Sequence, residues 1–141
     1  MNKLLTFVVG ILLLTTSLAM AAGSESTPPR DLETWRAASK EIYALLADGT
    51  VLNMQKKFVE ATPLLRQALD KALESGIPSQ IDRIRLELAR ALVETDQGAE
   101  AATLAETVYR RTPDSSMAAL RYGQALLSVG RTHDAIGILK Q

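Results

Sequence analysis

Residues able to carry chemistry are scarce in this chain. The single histidine, His133, stands beside Asp134 in the stretch GRTHDA, and cysteine is absent. A histidine next to a carboxylate is the raw material of a general base. This pair lies in a turn, where Thr132 or His133 would cap the following helix and Asp134 would favour its positive end. The lack of cysteine removes disulfides, thiol nucleophiles and thiolate metal sites together. No nucleophile–base pair, phosphate-cradling glycine loop or spaced ligand set occurs elsewhere. The residues therefore predict a protein that is not an enzyme, with no cofactor and no metal.

With no reaction to position, the elements are expected to serve packing and binding. The 141 residues suffice for one domain or a short repeat array. Apolar residues make up 47% and aromatic residues 4%, so leucine and alanine must build the core. Such a chain, with few β-branched runs, predicts an all-α fold. Sixteen basic and sixteen acidic residues leave no net charge. With no basic block, no nucleic-acid partner is expected.

The N-terminal stretch MNKLLTFVVGILLLTTSLAMAAGSES has a cationic start at Lys3 and an apolar run from Leu4 to Leu14. Polar Thr15–Ser17 and small residues at 19–21 follow. That layout predicts a signal peptide over residues 1–22, cleaved after Ala21 or Ala22. An uncleaved anchor is the alternative, since Leu4–Ala22 is almost long enough to span a bilayer. The expected product is exported, periplasmic or secreted, without stable membrane insertion after cleavage. Residues 23–31 are polar with paired prolines and read as a flexible tether, whose last residue, Asp31, is placed to cap a helix.

Residues 32–141 read as a helical domain. Leu32, Trp35, Ala38, Ile42 and Leu45 recur every three or four residues, with Trp35 expected as a core anchor. EATPLLRQALDKALESGIP ends at Gly76 and Pro78, and Pro63 is expected in its first turn, where amide hydrogens have no internal partner. IDRIRLELARALVET breaks at Asp96–Gly98, AEAATLAETVYRRT stops at Pro113, and a last pair is interrupted at Gly130. Short helices and tight turns predict antiparallel helix pairs.

Sliding the chain by 34 residues lays Leu86 on Leu120, Leu88 on Tyr122 and Ala89 on Gly123. It also lays Ala91 on Ala125, Leu92 on Leu126 and Ala101 on Ala135. Residues 82–115, with Leu88, Ala89, Leu92, Ala101, Ala105, Val108 and Pro113, resemble the tetratricopeptide repeat family, whose unit is 34 residues and two antiparallel helices. An incomplete copy at 116–141 matches with Tyr122, Gly123, Leu126, Gly130, Ala135 and Leu139. Arg85 and Ala119 depart from the family's tryptophan-like position. A weaker copy at 42–75 has Gly49, Leu52, Ala61, Leu65 and Ala68 on family positions but Asp48 for a leucine, and six extra residues, GIPSQI, follow it. Gly49 either belongs to that copy or ends the first helix. In the resemblance, Ala89 and Gly123 are small so that paired helices can approach, with Ala101 and Ala135 on the facing helix.

The resemblance implies a short right-handed solenoid whose first helices line a concave groove for a protein or peptide partner. Groove-facing positions would be Leu86, Glu87, Arg90, Val93 and Glu94, then Leu120, Arg121, Gln124 and Leu127. Arg90 and Arg121 are suited to a carboxylate, although Glu87 and Glu94 flank Arg90 at pairing distance along a helix. The asparagines of the family's carboxylate clamp are absent from these positions. Ile136, Ile138 and Leu139 would lie at an end without a capping helix, which implies self-association there or a longer array. RLELARAL at 85–92 is similar to repeat regions that precede outer-membrane or assembly machinery. A periplasmic adaptor or scaffold without catalysis is the first expectation, and an assembly subunit the second.

Overall fold

A computed structural model describes residues 31–140. The expected signal peptide, and the tether up to residue 30, lie outside the described residues. Among those described there is no strand. The elements are α1 (Leu32–Met54), α2 (Phe58–Ser75), a 3-10 turn (Pro78–Gln80), α3 (Ile81–Glu94), α4 (Gly98–Arg111), α5 (Ser116–Ser128) and α6 (Thr132–Leu139). The all-α expectation is met.

Three three-residue turns join the helices in pairs, α1 to α2, α3 to α4 and α5 to α6. The middle residue of each is left-handed, at Lys56 (φ 61°), Asp96 (φ 58°) and Gly130 (φ 79°). The next amide then reaches back to a leucine carbonyl each time: Lys57 to Leu52 at 2.9 Å, Gln97 to Leu92 at 2.8 Å, and Arg131 to Leu126 at 2.9 Å. This is the 6→1 bond that closes a helix C-terminus. Asp96 and Gly130 stand 34 residues apart, whereas Lys56 precedes Asp96 by 40. The extra six residues build the α2–α3 connection: Gly76 ends α2 in a left-handed conformation (φ 59°), Ile77 is buried, and the 3-10 turn leads into Ile81.

The glycine–leucine seams explain how closely paired helices approach. A Cβ on Gly49 would lie 2.6 Å from Cγ and Cδ2 of Leu65, sixteen residues later, and one on Gly123 would lie 2.7 Å from the same atoms of Leu139, again sixteen later. At the same separation between α3 and α4 stand Ala89 and Ala105, both fully buried. Glycine occurs where a leucine must fit, and alanine where alanine suffices. Gly49 does not end the first helix, since α1 runs through it to Met54. The residue that needs the space at Gly123 is Leu139, while Ala135 is buried one turn earlier.

Each helix packs on the next, and α3 also lies against both α1 and α5. The odd-numbered helices therefore form one layer. The others flank it, with α2 and α4 linked by Arg66, whose two Nη atoms reach the Glu100 carboxylate at 2.5 and 2.7 Å. The core runs through both layers and includes Ile42, Leu65, Ile84, Leu88, Leu92 and Leu126.

Several local expectations are corrected. Trp35 is no core anchor: it is 43% exposed, and Leu32 beside it is exposed too, because burial on α1 begins only at Ser39. Pro63 is the sixth residue of α2, past the free first turn, so its missing N–H leaves the Val59 carbonyl without its helical donor. Neither Thr132 nor His133 caps α6; the N-cap is Arg131 and no side chain serves it. At α5 a side chain does serve as cap: Ser115 Oγ accepts from the Ala118 amide at 3.3 Å.

Candidate functional site

The layer formed by α1, α3 and α5 brings together four of the expected groove residues: Glu87 and Arg90 on α3, Arg121 and Gln124 on α5. Arg121 Nη1 donates to Gln124 Oε1 at 2.9 Å. Its Nε is buried and has no hydrogen-bond partner. Burial holds the Arg121 pKa below the ordinary guanidinium range, and the positive charge of Arg90 adds to the lowering while Glu87 opposes it.

The ordinary pairing expected of Arg90 does not form. Glu87 is engaged by Asn53 of α1, whose Nδ2 donates to the Glu87 carbonyl at 2.9 Å and to its carboxylate at 3.0 Å. The Arg90 guanidinium instead sits 6.0 Å from the Phe58 ring centroid, the outer range of a cation–π contact. Among the described residues, no carboxylate lies within ion-pair distance of Arg90 or Arg121. A pair of guanidiniums that no carboxylate holds in an ion pair can receive a planar anion through several charge-assisted hydrogen bonds, with Glu87 offsetting part of their charge.

The other expected groove positions divide by their place in the stack. Leu46, Leu86 and Leu120 occupy matching sites on α1, α3 and α5 and are 3%, 9% and 40% exposed. The first two are covered as the next odd helix packs against them, so Leu86 is core as much as groove. It also helps line an open cleft of about 430 Å³ with Asp82, Arg83, Glu87 and Met117. Val93 packs partly against the core and Glu94 is exposed. Leu120 and Leu127 are exposed on α5, beyond which no described odd helix lies.

The expected packing residues Leu88, Ala89, Leu92, Ala101, Tyr122, Gly123, Leu126 and Ala135 are all buried. Tyr122 also meets Tyr109 of α4, ring centroids 5.6 Å apart. Pro113 follows the end of α4 and is exposed. Sequence reasoning missed Asn53 and Phe58. Asn53 is fully buried, and a lone amide in the apolar run VLNM was the available signal.

His133 is exposed, and the carboxylate beside it is taken: Asp134 Oδ2 accepts from Nε and Nη2 of Arg131, each at 2.7 Å. Among the described residues no group of three or more His, Cys, Asp or Glu could hold a metal ion. None of their helices is long and apolar enough to cross a membrane. Comparison of the chain with protein-family models, with curated proteins and with solved structures finds no match.

Proposed function

We propose that this chain is a tetratricopeptide-type repeat protein that binds a protein or peptide partner on its α1–α3–α5 layer, acting as an exported, non-catalytic adaptor. The observation that carries the reading is the Arg90–Arg121 pair on the shared face: Arg121 lies close enough to Arg90 to be affected by its charge, and neither guanidinium joins an ion pair among the described residues. Holding like charges together costs the fold some stability, and groups perturbed in this way cluster where ligands bind. An acidic side chain or a terminal carboxylate is the group they suit. The solenoid architecture is supported by the threefold recurrence of one turn and by the contacts between alternate helices. Export rests on the N-terminal signal alone.

The test is affinity capture from periplasmic extract with the protein and with an Arg90→Ala/Arg121→Ala variant. Partners held by the protein and lost by the variant are expected. Equal capture by both would overturn the arginine contacts.

A second reading, an assembly subunit, is favoured by a separate observation: Leu120, Leu127, Ile136 and Leu139 are exposed together on α5 and α6. Light scattering of a Leu127→Glu/Leu139→Glu variant checks it. An unchanged mass would remove this reading.

A further inference from the structure

The side of α1 turned away from α2 carries Ala37, Lys40, Ala44, Asp48 and Val51, all exposed. Their spacing of three and four residues sets them on one helix face. On α3 and α5 the matching sites are buried, as Ile84, Leu88 and Ala91, and as Ala118, Tyr122 and Ala125. There the preceding even helix, α2 or α4, packs on them. No described element does this for α1.

This face is complementary to itself. Counted outward from Ala44, Lys40 mirrors Asp48 and Ala37 mirrors Val51. Neither Lys40 nor Asp48 joins an ion pair among the described residues. The length of α1 fits the same centre. It has 23 residues against 14 in α3 and 13 in α5, and Ala44 falls beside its midpoint.

We propose that this face of α1 docks a second copy of the chain. Two α1 helices cross antiparallel on a twofold axis at Ala44, so that each Lys40 meets Asp48 of the other copy and each Ala37 meets Val51. An isologous contact requires such reciprocal pairing. The small residue on the axis lets the helices approach to about 8–10 Å. The two crossed ion pairs fix register and direction, since parallel packing would set Lys40 against Lys40. A single crossing of two helices is a small interface, so the dimer is weak and exchanges with monomer.

The experiment is light scattering with the intact exported protein over a concentration series, using Lys40→Glu and Asp48→Lys. Both sites are exposed, and circular dichroism checks that each variant remains helical. The wild type is expected to pass from monomer to dimer as concentration rises. Each variant alone should dimerise at least about tenfold more weakly, since like charges then face each other. An equimolar mixture of the two variants should dimerise again, because the exchanged charges are opposite in the mixed pair. A wild type that stays monomeric, variants that dimerise like the wild type, or a mixture that stays monomeric would each overturn the proposal. So would dimerisation abolished by Leu127→Glu/Leu139→Glu but untouched by Lys40→Glu, and that outcome would leave the arginine-site reading standing.

Discussion

The two ends of the helix stack use the same residue types at the same register and bury them to different extents. In the α1–α2 pair, Gly49 receives Leu65, which is fully buried, and Leu46 is covered by α3. In the α5–α6 pair the same seam joins Gly123 to Leu139, which is 46% exposed, and Leu120 is open. Sequence periodicity makes these pairs look equivalent. What separates them is what lies on either side. The same residue type at the same register contributes differently because another described odd helix follows the α1–α2 pair, whereas the α5–α6 pair is only preceded by one.

Paired substitutions measure how far the two ends differ. Leu46→Ala should cost about 3 kcal/mol through lost burial and a cavity, and Leu120→Ala less than about 1 kcal/mol. Urea unfolding of the two variants measures the gap, and equal losses would show that the ends are alike. Next in size is the seam itself. Gly49→Ala should destabilise by about 2 kcal/mol, because Leu65 has nowhere to move. Gly123→Ala should fall within about 1 kcal/mol of the wild type, since Leu139 can swing outward and the helix gains alanine's propensity. Thermal midpoints in the reverse order would refute the seam account.

The smaller effects lie in the turns. Lys56 holds the left-handed conformation that Gly130 adopts in the last pair without a side chain to strain. Lys56→Gly should therefore stabilise by about 1 kcal/mol, and Gly130→Ala should destabilise by a similar amount. Thermal unfolding reads both, and a destabilised Lys56→Gly would mean that the lysine side chain supports its turn. Smallest of all is Arg66→Ala, expected to cost no more than about 1 kcal/mol, because its bond to Glu100 is partly exposed. Screening by salt should shrink that cost.

Much of the architecture was legible because it rests on local rules. Gly76 and Gly130 mark helix ends through left-handed backbone, and the 34-residue offset carries Leu88 onto Tyr122 and Leu92 onto Leu126. The errors arose where three-dimensional neighbours decide. Trp35 follows the apolar period of α1 yet lies before the stretch where burial begins. Gly123 stands at the small-residue site of the 34-residue repeat, but the residue that opposes it lies sixteen positions on, at Leu139, rather than at Ala135. Helical spacing alone pairs Arg90 with Glu87 and Glu94, because the pairing rule is local, yet Glu87 binds another donor. The competing donor, Asn53, comes from another helix, 34 residues earlier.

The proposed site requires Arg90 and Arg121 to repel each other in the free protein, with Glu87 offsetting only part of their charge. A double-mutant cycle in urea unfolding tests it most directly, with Arg90→Gln, Arg121→Gln and the double variant at low and high salt. The expected result is a repulsive coupling of about 0.5 kcal/mol at low salt, shrinking at high salt, with Arg90→Gln neutral or stabilising. An attractive or absent coupling, or a loss above about 1 kcal/mol for Arg90→Gln alone, would contradict it.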